Sequence, residues 1–86
     1  MRILVVEDDT DLAEAVVRRL RRQGHAVDWQ SNGREACEVL GYAQFDLLLL
    51  DIGLPGMDGL ALLAHLRRQG NKTPVLMLTA RSDIED

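Results

Sequence analysis

The sequence lacks several features that would mark particular classes of protein. Its single cysteine, Cys37, excludes an internal disulfide, and the chain has no positively charged leader, no apolar run long enough to span a membrane and no cleavage site. Its net charge is −4, from 14 acidic residues against 10 Lys and Arg, which gives no general attraction to nucleic acid or anionic lipid. We therefore expect a domain of the reducing cytoplasm that binds neither DNA nor membranes.

The composition that remains is typical of a folded domain. The 86 residues are 47% hydrophobic and 28% charged, and no repeat, low-complexity tract or linker interrupts them. We therefore interpret residues 1–86 as a single domain. Short apolar runs predict strands at Ile3–Val6, Ala26–Gln30, Leu47–Leu50 and Val75–Thr79.

Amphipathic stretches separate these strands and predict helices. In the first stretch Leu12, Val16 and Leu20 recur at fourfold spacing before Gly24, and Asp9 or Thr10 is the expected N-cap. Asn32 and Glu35 resemble a capping box opening a helix that reaches Leu40 or Ala43. A third helix is predicted between an N-cap at Asp58 and a stop at Gly70, with an apolar face of Leu62, Leu63 and Leu66.

The resulting β-α-β-α-β-α-β order predicts an α/β fold with a doubly wound parallel sheet. Ligands of such sheets bind outside the carboxyl ends of the strands, where the strand order reverses. The residues expected at that edge are mostly acidic. They are Glu7, Asp8 and Asp9 after the first strand, Asp51 after the third, and Thr79 and Ala80 after the fourth.

Clustered carboxylates repel one another, so this edge must take up protons or bind a cation. Carboxylate and backbone oxygens suit Mg²⁺, which often shares its coordination sphere with a phosphate. The pattern predicts a magnesium site that takes a phosphoryl ligand, with Asp51 as nucleophile and Thr79 as hydroxyl donor. We assign Asp9 to helix capping. Residues that we interpret as structural or solvated are His25, His65, the buried thiol Cys37, Trp29 and the arginines from Arg18 to Arg22.

Three segments together resemble a response-regulator receiver domain of two-component systems. They are Val6-Glu7-Asp8-Asp9, Leu50-Asp51-Ile52-Gly53-Leu54-Pro55-Gly56-Met57-Asp58-Gly59 and Leu78-Thr79-Ala80-Arg81. Each segment alone is weak, but the three occur in order and each at a predicted strand end. The loops are most similar to the OmpR/PhoB class, in particular to its PmrA/QseB branch. The resemblance implies a flavodoxin-like (CheY-like) fold, truncated here after the fourth strand.

The resemblance also implies a role for each matching position. Asp51 would accept a phosphoryl group from a phosphohistidine of a sensor histidine kinase. Glu7 and Asp8 would form the acidic pocket for Mg²⁺, with Asp51 and the backbone carbonyl of Gly53 as further ligands. Thr79 would bond the phosphoryl oxygen, and the small Ala80 would leave access to Asp51. Gly53 and Arg81 would tune phosphoryl lifetime. Such a domain would catalyse only its own phosphorylation and dephosphorylation.

The sequence departs from the family pattern at its end. A receiver continues with a helix, a fifth strand carrying a Lys-Pro pair and an aromatic switch residue, and a last helix; Lys72 before Pro74 is not a substitute for that lysine. The sequence also does not include the DNA-binding domain of the class. Any contact with DNA would be made by that C-terminal domain. An uncovered edge and face would favour a homodimer or a segment-exchanged oligomer.

Two alternatives remain beside the phospho-acceptor receiver. One is a receiver fragment that is not phosphorylated and acts only as an interaction module. The other is a phosphohydrolase of the haloacid dehalogenase type, which would need a second acid two residues after its nucleophile. Gly53 occupies that position, so this alternative is disfavoured.

Overall fold

The structure, a computed structural model, describes residues 1–78, and within them the chain forms four strands and three helices. In chain order they are β1 (Arg2–Val6), α1 (Thr10–Arg22), β2 (Ala26–Gln30), α2 (Gly33–Leu40), β3 (Leu47–Leu50), α3 (Gly59–Arg68) and β4 (Val75–Met77). No helix in this part of the chain has the length and apolar character needed to cross a membrane.

The strands form one parallel sheet in the order β2-β1-β3-β4. The chain leaves β1 toward one side to form β2 and returns past β1 to form β3 on its other side. Strand order therefore reverses between β1 and β3, where the ends of the neighbouring helices leave a crevice at the carboxyl ends of the strands. The doubly wound α/β fold is confirmed.

Alternate residues of β1 and β3 enter two apolar layers, one on each face of the sheet. On one face Leu4, Val6, Leu48 and Leu50 pack with residues of α2 and α3. On the other face the layer consists of Ile3, Val5, Val17, Val27 and Leu49, and α1 covers it. Residues 3–6 of β1 and 48–50 of β3 are buried, and because both faces of the sheet are covered there, these segments are apolar without interruption.

Each helix begins at a residue whose side chain caps it. The side-chain oxygen of Asp9 accepts a hydrogen bond from the Leu12 amide at 3.1 Å, which starts α1. Asn32 accepts from the Glu35 amide at 2.9 Å, and Asp58 from the Ala61 amide at 2.8 Å. All three predicted caps are confirmed.

Some details of the elements differ from the predictions. The buried line of α1 runs through Ala13 and Val17, whereas Leu12 is 39% exposed, because Leu12 lies at the border of the apolar stripe. Cys37 is half-buried against the α2 and α3 layer rather than fully buried. The structure gives β4 as Val75–Met77, followed by Leu78, and the predicted strand end at Thr79 lies outside the described residues.

Candidate functional site: an acidic cluster between two strands

Three carboxylates meet at the crevice between β1 and β3. Val6 pairs with Leu50 in the parallel register, and the Asp51 amide donates to the Val6 carbonyl at 3.1 Å, which continues the ladder one step beyond the strands. Glu7, Asp8 and Asp51 each offer one oxygen, and these oxygens all lie within 4.8 Å of one another. The structure thus brings together two segments that are far apart in sequence.

Glu7 is the most firmly held of the three. Its residue is only 3% exposed, and one of its carboxylate oxygens accepts a hydrogen bond from the Asp9 amide at 3.0 Å. Its own amide donates to the Gln30 carbonyl at 3.1 Å, and its carbonyl accepts from the indole nitrogen of Trp29 at 2.9 Å. Three bonds therefore fix the backbone and side chain of Glu7 before any ligand arrives.

The environment of Glu7 favours its neutral form. Burial is the main cause that raises the pKa of Glu7 above its ordinary value, the Asp9 amide opposes this shift, and the charges of Asp51 and Asp8 add to it. In residues 1–78 the only ion pair joins Arg2 to Asp28, so no basic side chain pairs with the cluster there. Two unit charges 4.8 Å apart repel by about 1 kcal/mol in water and about 3.5 kcal/mol at an effective dielectric constant of 20.

This donor set fits a hard divalent cation. The ligand atoms are all carboxylate oxygens, and their burial falls from buried Glu7 through half-buried Asp51 to exposed Asp8. One side of the cluster is thus open to water. Mg²⁺ prefers oxygen ligands and commonly keeps several waters while binding one or two carboxylates. A cation here would also relieve the repulsion that the fold imposes on the three acids.

Two glycines let helices α2 and α3 pack closely against Asp51 and the loop that follows it. A Cβ atom at Gly59, the first residue of α3, would collide with the Asp51 carbonyl oxygen and lie 2.8 Å from the Ile52 Cα. The Gly59 amide donates to the Ile52 carbonyl at 2.7 Å. At Gly33, the first residue of α2, a Cβ would collide with the Met57 carbonyl oxygen. Helices α2 and α3 are therefore seated directly against the segment that carries Asp51.

Other predicted site residues are not part of this cluster in the described structure. Gly53 is exposed in the loop two residues after Asp51, and the role of its carbonyl as a metal ligand stays a prediction. Asp9 caps α1, as predicted. Thr79 and Ala80, together with Arg81, lie outside the described residues, so their predicted roles stay predictions.

Sequence reasoning missed two residues that position the site. Trp29 is expected to be only structural or solvated, yet its indole N–H donates a hydrogen bond to the Glu7 carbonyl. Gly59 has no predicted role beyond its place in a matching segment, yet it is the contact between α3 and Asp51. Both effects depend on contacts between distant segments. The only local signal was the small residue directly after the predicted cap Asp58.

Comparison with known proteins agrees with this fold. Residues 3–86 match the family model described as the response regulator receiver domain. The response regulator PmrA of Pseudomonas aeruginosa is 49% identical over 86 residues, which are 100% of this chain and 39% of that protein. The chain thus spans about two fifths of that curated relative.

Solved structures give the same result. The response regulator TrrA of Thermotoga maritima, in complex with Mg²⁺-BeF, superposes with a TM-score of 0.88 at 33% identity, covering 98% of this chain and 73% of that one. The receiver domain of a Pseudomonas aeruginosa sensor histidine kinase, with a magnesium ion in its active-site cleft, gives a TM-score of 0.91 at 30% identity, covering 99% and 71%.

The chain belongs to the response regulator receiver domain family. Within that family it is similar to regulators of the OmpR/PhoB class.

Proposed function

We propose that this chain is a phospho-acceptor switch in which Asp51 takes a phosphoryl group from a phosphohistidine of a sensor histidine kinase. The observation that carries this proposal is the convergence of Glu7, Asp8 and Asp51 within 4.8 Å at the β1–β3 crevice. Family membership and the magnesium in the two related structures support it.

The proposed reaction is a displacement at phosphorus. A carboxylate oxygen of Asp51 forms a bond to phosphorus while the phosphorus–nitrogen bond to the kinase imidazole breaks, and the departing nitrogen takes a proton. Glu7, Asp8 and Asp51 would hold Mg²⁺, which supplies charge neutralisation at the phosphoryl oxygens when bound. The hydrogen bonds that fix Glu7 would keep these acids in place during the reaction.

The test is the intact mass of the chain after incubation with acetyl phosphate, with and without Mg²⁺. We expect the gain of one phosphoryl group in the presence of Mg²⁺ and none in Asp51→Asn. Asp28→Asn makes the same chemical change outside the cluster and should be phosphorylated like the parent chain, since its exposed pair with Arg2 contributes little to stability. Equal phosphorylation of Asp51→Asn would exclude Asp51 as the acceptor.

The alternative function, an interaction module that is not phosphorylated, predicts a different result. A folded chain that binds Mg²⁺ yet gains no mass under these conditions would favour it. Trp29, the sole tryptophan, donates a hydrogen bond to the carbonyl of Glu7. Because Glu7 is one of the three acids of the cluster, the fluorescence of Trp29 provides the measurement of metal binding.

The chain spans only about two fifths of its relative PmrA. We propose that it acts within a cytoplasmic regulator of that kind, which would control transcription through a separate DNA-binding domain. We also propose that copies of this chain associate through β4, where Leu76 is 57% exposed.

A further inference from the structure

A groove lies between α1 and the edge strand β2, away from the β1–β3 crevice. Its volume is about 400 Å³, and its lining residues are Glu14, Val17, Arg18, Arg21 and Trp29. We call it the α1–β2 groove. Strand β2 is the outermost strand of the sheet on this side, so the groove opens along a sheet edge.

The floor of the α1–β2 groove is apolar and already ordered. Val17 is buried in the core layer under α1, and Trp29 packs against that same layer. The hydrogen bond from the Trp29 indole to the Glu7 carbonyl fixes the plane of the ring. An apolar group that docks on this floor would therefore meet a surface that loses little conformational freedom on binding.

The rim of the groove is positively charged although the chain as a whole is negative. Arg18 and Arg21 are exposed beside a single acid, Glu14, and the net charge of the chain is −4. Basic residues in the last turn stabilise a helix through its dipole, but Arg18 precedes the last turn of α1. The rim is thus complementary to an acidic partner.

The edge of β2 presents backbone groups next to this rim. The Ala26 amide donates to the Met1 carbonyl at 3.0 Å, and the Gln30 carbonyl accepts from the Glu7 amide at 3.1 Å. In a parallel ladder this pattern turns alternate residues toward β1, so the peptide groups of Val27 and Trp29 face outward. Arg21 donates to the outward Val27 carbonyl at 2.8 Å, which places its charge at the edge and occupies that carbonyl, so a partner strand would bond to the Val27 amide and to the Trp29 peptide groups.

From these observations we propose that the α1–β2 groove binds an extended acidic segment of a partner protein. The segment would add to the outer edge of β2, seat an apolar side chain on Val17 and Trp29, and pair its carboxylates with Arg18 and Arg21. The proposed docking does not require a phosphoryl group at Asp51.

The test uses a synthetic peptide, Glu-Leu-Glu-Leu-Glu with blocked ends, titrated into the full chain while Trp29 fluorescence is recorded. We expect a saturable blue shift, because the indole loses contact with water. The Glu-Ser-Glu-Ser-Glu and Lys-Leu-Lys-Leu-Lys peptides should bind more weakly, since one lacks the apolar anchor and the other the charge. Added salt should lower the affinity for the acidic peptide, because it screens the attraction between opposite charges.

Two charge reversals provide matched variants. Arg18→Glu should lower the affinity for the acidic peptide by about tenfold or more. Arg19 does not line the groove, so Arg19→Glu should change this affinity by about twofold or less. Amide shifts in nitrogen-15 NMR spectra should be largest at Val27 and Trp29. The proposal is overturned if Glu-Leu-Glu-Leu-Glu leaves the fluorescence of Trp29 unchanged, or if Arg18→Glu and Arg19→Glu bind the peptide with equal affinity. It is also overturned if a single-stranded oligonucleotide displaces the peptide and binds more tightly.

Discussion

At the scale of single residues, Glu7 shows how the fold sets the chemistry of the site. Its carboxyl group is buried, held by the Asp9 amide and placed near two other acids. Its raised pKa means that, above its ordinary pKa of 4.5 and up to the raised value, the folded chain holds more protons than the unfolded chain. Stability of the metal-free chain therefore falls as pH rises through this window.

Removing the charge of Glu7 should therefore stabilise the metal-free chain. Glu7→Gln keeps an oxygen for the Asp9 amide but carries no charge, so without metal it should be more stable than the parent at neutral pH, by about 1 kcal/mol. The measurement is urea unfolding at several pH values in EDTA. Adding Mg²⁺ should stabilise the parent more than the variant.

A control for this prediction is Glu38→Gln, which makes the same change at an exposed position of α2. Its unfolding free energy should follow the parent at every pH. If Glu7→Gln were less stable than the parent without metal throughout the pH range, the charge of Glu7 would be stabilising and our account of the cluster would be wrong.

At the scale of elements, the sequence was informative where structure is local. The capping residues Asp9, Asn32 and Asp58 and the apolar strands β1 and β3 were predicted because caps and strand patterns depend on a few neighbouring residues. The acidic cluster was predicted because the ends of parallel strands meet at one edge. The order of the strands and the close seating of α3 under Asp51 depend on tertiary contacts, which no local pattern encodes.

The seating of α3 gives a prediction at this scale. Gly59→Ala would push a methyl group against the Asp51 carbonyl and the Ile52 Cα, so the start of α3 must shift. We expect a loss of about 1–3 kcal/mol in unfolding free energy and weaker Mg²⁺ binding. Both are measured by denaturant titration with and without the metal.

Gly41→Ala is the matched comparison. It follows α2, its φ is −77°, and its nearest contact for a Cβ is the Glu38 carbonyl at 3.2 Å. The variant should be affected far less than Gly59→Ala, and its Mg²⁺ binding should be unchanged. Equal losses in the two variants would show that the packing of α3 against Asp51 has no special role.

At the scale of the whole molecule, the helices within residues 1–78 cover the two faces of the sheet unequally. Helices α2 and α3 cover one face, whereas α1 packs over β1 and β2 on the other. Leu76 of β4 pairs in register with Leu49 and lies 57% exposed on the α1 face. An apolar side chain beside a buried layer favours association between copies.

Sedimentation velocity over a range of concentrations tests this association. We expect the parent to show a concentration-dependent increase in sedimentation coefficient, and Leu76→Gln to show a smaller one. Leu60→Gln provides the control, because Leu60 is also 57% exposed but lies on α3. A parent chain that remains monomeric throughout would refute the proposal.

The pairing of β1 with β3 also affects the rates of folding and unfolding. It closes a loop that contains α1, β2 and α2, and pairings between such distant segments are slow to form. The acidic cluster exists only once this loop is closed, so a cation cannot assist the earlier steps of folding. We therefore expect Mg²⁺ to lengthen the lifetime of the folded chain by slowing its unfolding, while the refolding rate changes little.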